Sequence, residues 1–225
     1  ELFSYYTTVQ LQKISLNGEQ KKFGREAIIK NYSVAPNGNY LLVETIQQPF
    51  SYLVPASRFP FNYEIWDMTG KEVKILAEIG LDEVRPKGFD ATRLGIRIVN
   101  WRADQPATLY CAEAIDGGDP KAKTNERDLI QTLSAPFNAE PITLFTTSLR
   151  FSNVIWGDEN RAIVSERWWA QRLDKRTLIN PSEPGFEGEV IVDRTTADRY
   201  NDPGSPITIK NEFGYNVLQF DKDNI

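Results

Sequence analysis

An all-β chain built from repeated antiparallel strand pairs is predicted by three observations. The segments Asn31–Ile46, Ile98–Glu113 and Phe151–Glu166 share one pattern: a short apolar strand, a tight polar turn and a second apolar strand. Their turns centre on Asn37, Asp104 and Asp158, and recurrence at roughly 40–50 residues or a little more marks stacked β-blades. The 225 residues include Trp 5, Tyr 9 and Phe 12. Such aromatic enrichment favours strands, whereas helical periodicity is nowhere sustained. The predicted fold is a partial β-propeller of about four four-stranded antiparallel blades, forming a single domain over 1–225.

Taken in order, the elements follow from pattern and turn chemistry. Val9–Leu16 and a partner strand join at Asn17-Gly18, a dipeptide expected to place both central residues at φ > 0 in a tight hairpin. This pair reads as the outer half of a truncated blade, 1–30. A blade over 31–80 turns at Asn37-Gly38 and closes with the outer hairpin Tyr63–Asp67, Thr69-Gly70, Glu72–Leu76. A blade over 97–147 pairs Ile98–Trp101 with Thr108–Ala114 and Asp128–Leu133 with Ile142–Thr146. The next, 151–194, uses Ser152–Trp156, Ala162–Arg167, Lys175–Asn180 and Glu189–Asp193, and 206–225 reads as the start of a further blade.

Composition removes several function classes. A net charge of −5 argues against a nucleic-acid partner, because phosphate binding needs a basic face. His 0 leaves no Ser-His-Asp triad, no Cys-His dyad and no His-ligated zinc within the chain. Cys111 is the sole cysteine and sits mid-strand between Tyr110 and Ala112. It reads as a buried structural thiol, since reactive thiols need an electropositive, accessible site. No apolar run approaches the roughly 18 residues of a membrane span. The opening residues Glu1–Tyr6 lack a basic start, an apolar signal core and an initiating Met, so the chain reads as a piece or processed product of a longer one. No cofactor is expected.

Connectivity then locates candidate function. With blade strands labelled A to D from the inside out, antiparallel alternation puts A–B and C–D turns on one face and the B–C and D–A loops on the other. The second set is long: 47–62, 77–97, 116–127, 167–174 and 194–206. Long loops on a rigid scaffold are where binding usually lives. Arg58, Arg93, Arg97, Trp168, Trp169 and Arg172 are the candidate substrate-guiding residues there. Trp168-Trp169 with Arg172, Lys175 and Arg176 suits a cationic aromatic pocket for an acidic side chain, which arginine grips as a bidentate fork; the alternative is one Trp packed between blades with solvated basic tips. Asp116-Gly117-Gly118-Asp119 has the look of a calcium loop but offers two carboxylates where six to eight oxygens are wanted, and reads as a structural turn. The aromatic, proline-rich stretch Pro49–Pro60 reads as a lid or docking loop, or else as cover for its own blade.

The strings Arg58–Pro60, Asn100–Asp104 with Pro106, Asp116–Pro120, Asp193-Arg194 and Asp202–Ser205, taken in order, resemble the propeller of prolyl oligopeptidase family serine peptidases. The closest branch is the glutamyl endopeptidase-like group of bacteria and chloroplasts. That resemblance covers essentially the whole chain. It implies a C-terminal α/β-hydrolase domain as partner, a peptide substrate, and a role in shaping or gating access to the peptidase site. It also implies seven or so blades in the full propeller, and a periplasmic, cytoplasmic or plastid setting. No Gly-x-Ser-x-Gly elbow occurs in the chain, so no catalytic residue transfers onto any position. Open blade edges invite self-association. The rival readings are a free-standing protein- or ligand-binding propeller and a glycoside hydrolase; the latter needs paired carboxylates, and none stand out at matched positions. The purified chain is expected to hydrolyse no peptide or ester substrate, because it has no base suited to activating a serine; inhibitor-sensitive turnover by a homogeneous preparation would refute this.

Overall fold

A computed structural model describes residues 2–185 and 187–221. Residues 222–225 of the expected further blade lie outside that range. Among the described residues the strands form antiparallel sheets whose spatial order is the chain order. The first sheet holds β1 (Val9–Ile14), β2 (Gln20–Val34), β3 (Tyr40–Ile46), β4 (Phe61–Asp67) and β5 (Glu72–Ile79). The second holds β6 (Ile96–Trp101), β7 (Thr108–Ala114), β8 (Asp128–Ser134) and β9 (Ile142–Thr147). The third holds β10 (Arg150–Trp156), β11 (Ala162–Trp168), β12 (Leu173–Ile179) and β13 (Glu189–Thr195). A hairpin, β14 (Thr208–Lys210) and β15 (Asn216–Leu218), follows. The fold is all-β, and each sheet is a blade-type meander. Contacts divide the chain into two compact units, Glu1–Val84 and Arg85–Ile225.

In the first unit the sequence separates a half-blade, 1–30, from a blade, 31–80. One strand runs through that boundary. The first half of β2 pairs with β1, from Val9↔Ala27 to Ile14↔Gln20. Its second half pairs with β3, from Ile28↔Ile46 to Val34↔Leu41, with a register shift between Ile29 and Asn31. Phe23 of the first half packs with Leu41, Val43 and Trp66, joined by Leu11 and Ile29. The β1–β2 hairpin therefore lies over the apolar face of the four-stranded blade β2–β5.

Two glycines permit that crossing. A Cβ on Gly24 would stand 2.3 Å from the Trp66 ring, and one on Gly70 would stand 2.3 Å from the Gly24 nitrogen. Both have positive φ, +68° and +86°, where an L side chain is strained. The Asn17-Gly18 turn differs from its expected form. Only Gly18 of the pair has a positive φ; Gly18 N–H bonds the Ser15 carbonyl at 2.9 Å, and Asn17 Oδ1 accepts from the Glu19 N–H at 3.1 Å. A type I turn with a glycine bulge meets the same strand twist with one residue fewer at φ > 0.

Local pattern missed one element. Residues Leu2–Thr7 form a short helix, α1. Its Thr7 hydroxyl donates to the Phe3 carbonyl at 2.6 Å, and the Phe3 ring meets Phe50 at 4.7 Å and Phe59 at 5.4 Å. Tertiary aromatic contact, not periodicity, holds this single helical stretch. The 47–60 loop covers the end of its blade through Phe50 and Phe59 and leaves Tyr52 and Leu53 exposed.

In the second unit the core lies between the second and third sheets. Tyr110, Ala112, Ile130 and Leu144 face Phe151, Val154, Trp156, Ala162 and Val164. β7 and β11 are buried along nearly all their length because each is the second strand of a covered sheet. Cys111 is buried there, and burial pushes its thiol up to about 11. The β14–β15 hairpin is tied on by Asn211 Nδ2, which donates to the Ala103 carbonyl at 2.7 Å. Gly24→Ala is expected to lower stability by about 2–4 kcal/mol, overpacking and left-handed strain together. Gly18→Ala, whose Cβ meets only open space, should cost about 1 kcal/mol. Denaturant unfolding of both variants checks the difference.

Candidate functional site

In the second unit, strand alternation gathers the connections 115–127, 148–149 and 169–172 at one end of the sheets. The segment 85–95 joins them, since the Thr92 N–H bonds the Gly118 carbonyl at 3.1 Å. Buried charge organises this end. Asp128, at the start of β8, is fully buried. It accepts from Arg97 Nη2, from Arg150 Nη1 at 3.1 Å and from the Phe151 N–H at 2.6 Å. Asp116 accepts from Arg127 Nη1 at 2.8 Å, Arg150 Nη1 at 2.8 Å and the Gly118 N–H at 3.0 Å. One arginine on β10 thus bridges two carboxylates of the neighbouring sheet.

A third buried acid reinforces the corner. Glu166 Oε2 accepts from the Ser148 N–H at 2.8 Å, the Leu149 N–H at 2.8 Å and the Ser148 hydroxyl at 3.1 Å. Lys175 Nζ donates to that hydroxyl at 2.9 Å. The short β9–β10 connection is therefore pinned by a side chain from β11. Asp90, at a positive φ of 65°, gives its carbonyl to Arg150 Nε at 2.8 Å. Its carboxylate takes the N–H groups of Trp169 at 2.7 Å and Ala170 at 2.9 Å.

The residues singled out from sequence divide by role. Arg97 is committed to Asp128 and to the Phe151 carbonyl at 2.9 Å. Trp168 is buried, with the Arg127 guanidinium 4.6 Å and that of Arg150 5.9 Å from its ring centre. Trp169 is 66% exposed. Arg172, exposed and left-handed at φ 56°, closes the same short turn through its N–H to the Trp169 carbonyl at 3.1 Å. Arg93 is half-buried on the 85–95 segment. Arg58 lies in the first unit, half-buried in a 3-10 turn over Ala56–Arg58. The two other members of the proposed cationic pocket point elsewhere. Lys175 serves Ser148, and Arg176 bonds Asp174 at 3.2 Å and the Gly204 carbonyl at 2.7 Å. Only Trp169 and Arg172 of the set share an open corner.

Sequence reasoning missed Asp90, Asp128, Arg150 and Glu166, whose partners lie far away in the chain. It took Asp116 for a turn residue. The turn exists, but both carboxylate oxygens are held by guanidinium groups. Burial raises the Asp116 pKa, while hydrogen bonds from Arg150 and Arg127 outweigh that and hold the carboxyl below its ordinary range. A depressed folded-state value means its contribution is complete above the unfolded value of about 4. It is lost as pH falls through the folded value. Asp116→Asn is expected to be less stable at neutral pH and to lose less stability on acidification below about pH 4. Parallel stability–pH curves for the two proteins would contradict the assignment. Arg150→Ala should cost about 3 kcal/mol, because it takes one guanidinium from each of two buried carboxylates.

No family model matches the chain. Two curated plant proteins do. A "Probable glutamyl endopeptidase, chloroplastic" of Oryza sativa subsp. japonica is 36% identical over 220 residues, covering 97% of this chain and 24% of its own length. The protein of the same description in Arabidopsis thaliana is 35% identical over 227 residues, covering 100% of this chain and 24% of its own. Among solved structures, an acylaminoacyl peptidase in complex with Z-Gly-Gly-Phe-chloromethyl ketone aligns with TM-score 0.46 and 13% identity, over 87% of this chain and 29% of that one. This chain thus spans about a quarter of the length of the curated relatives it matches. At that identity the chain is similar, along its whole length, to the part of the glutamyl endopeptidases that it matches.

Proposed function

We propose that this chain is the non-catalytic propeller module of a serine peptidase, shaping or gating access to a separate α/β-hydrolase domain that cleaves peptides after Glu. The observation that carries the reading is the pairing of full-length similarity to glutamyl endopeptidases with coverage of only 24% of their length. A chain with His 0 cannot complete a Ser-His-Asp triad by itself, which fits a role in binding and positioning. The loop end of the second unit suits that task. Its interior is fixed by buried ion pairs, and its open corner offers an aromatic surface, Trp169, beside a cation, Arg172. An arginine fork is the natural receptor for a glutamate carboxylate. Arg93, on a long loop of the same unit, and Arg58, on a long loop of the first unit, belong to the same proposal, while Arg97 and Trp168 help hold the loop end of the second unit.

In the intact peptidase, Arg172→Glu is expected to raise KM for a Glu-containing peptide by roughly tenfold, the equivalent of one charged hydrogen bond. Trp169→Ala should act in the same direction. Unchanged KM in both variants, and in Arg58→Glu and Arg93→Glu, would reduce this face to scaffold.

A further inference from the structure

We infer that Asp90 is a positioning residue: it latches the 85–95 segment onto the Trp169–Arg172 corner and so fixes how that corner is presented. The inference rests on the proposed binding role of this corner and adds the element that sets its geometry.

Three contacts converge on Asp90. Its carboxylate oxygens each take one backbone N–H of the short turn, Oδ1 from Trp169 at 2.7 Å and Oδ2 from Ala170 at 2.9 Å. Those N–H groups open a 3-10 turn at Trp169–Gln171 whose preceding residue, Trp168, supplies no side-chain cap. Asp90 provides from 79 and 80 residues away what a local Ser or Asp usually provides. Its own carbonyl accepts from Arg150 Nε at 2.8 Å, which links the latch to the buried Asp116 and Asp128 pairs. The third feature is conformational. Asp90 holds φ 65°, a region a non-glycine residue adopts only where its surroundings impose it.

The corner itself needs such a hold. Trp169 and Arg172 are both exposed; Arg172 is held through its backbone, its N–H on the Trp169 carbonyl at 3.1 Å and its carbonyl accepting from the Thr196 N–H at 2.7 Å, which leaves the opening N–H groups of the turn to Asp90. Gly118 keeps the other side of the segment close: a Cβ there would stand 2.2 Å from the Thr92 carbonyl oxygen. The 85–95 segment is thereby clamped at Thr92 by the β7–β8 loop and at Asp90 by the β11–β12 turn. Removing the carboxylate frees two N–H groups and the exposed indole together, while Arg150 keeps its bonds to Asp116 and Asp128.

The test uses the intact peptidase and two readouts. Amide hydrogen exchange in Asp90→Ala should show protection at Trp169 and Ala170 falling at least roughly tenfold, with strands β10–β12 unchanged. Unchanged exchange at those two amides, or a loss spread over both sheets, overturns the latch. Kinetics gives the second readout. Asp90→Ala should raise KM for a Glu-containing peptide in the same sense as Trp169→Ala, with kcat falling less than KM rises. Asp90→Asn, which keeps an oxygen acceptor, should recover part of the loss. If Trp169→Ala raises KM and Asp90→Ala does not, the positioning role is wrong. If exchange responds as expected and neither variant changes KM, the latch stands and the proposed binding role of the corner fails.

Discussion

The guanidinium of Arg150 sits where the second and third sheets meet, 9% exposed, against two carboxylates with no exposed surface. Ions so placed have lost their water, and only close pairing with further hydrogen bonds repays the desolvation. The surroundings supply this. Arg127 and the Gly118 N–H complete Asp116, and Arg97 with the Phe151 N–H completes Asp128. The donors come from β6, β10 and the β7–β8 loop, so each carboxylate ties together elements distant in the chain, and losing a partner weakens a buried pair. The loop end of this unit is rigid for that reason, and the exposed corner beside it inherits a fixed base.

The first unit solves a similar problem with different groups. Glu64 is fully buried in β4 and accepts from Arg25 Nη2 at 2.7 and 2.8 Å, from Trp66 Nε1 at 2.8 Å and from the Thr45 hydroxyl. Gln47 Nε2 donates to Thr45 Oγ1 at 2.9 Å, which leaves the hydroxyl proton for the carboxylate. Arg25 comes from the first half of β2, so the same carboxylate helps hold the crossing hairpin on the blade. Trp66 contributes twice, through its N–H to Glu64 and through its ring beneath Gly24. Polar satisfaction and close packing are therefore one constraint here. A bulkier residue at 24 disturbs both.

Strand positions were legible in the sequence because alternation and turn residues are local signals. The expected strands Thr108–Ala114, Asp128–Leu133, Ala162–Arg167 and Lys175–Asn180 lie within a residue or two of β7, β8, β11 and β12. The α1 helix was not legible, since its anchor is Phe3 on Phe50 and Phe59. The loop end was legible in outline only. Its loops could be assigned to one side by counting strands, and Trp169 and Arg172 were named among its residues. Asp90, Asp128 and Arg150 carry no local mark. Their roles come from partners 22 to 80 residues away, and an isolated Asp or Arg on a strand end reads as solvated.

Buried and exposed residues at this end consequently do different work. Inside, Asp116, Asp128 and Glu166 are spent on guanidinium and backbone donors, and the Cys111 thiol is kept protonated by burial. None of these is available to bind a peptide or attack one. Outside, Trp169 and Arg172 present chemistry that the fold itself does not require, on a turn whose geometry the interior dictates. In the proposed binding role such a surface pays little ordering entropy, because its shape is set before a ligand arrives. Substitutions at the corner change exposed groups and leave the sheets intact, whereas substitutions at Arg150 loosen both the sheets and the base of the corner. In the proposed binding role, selectivity is set at the corner without loosening the ion pairs that hold its base.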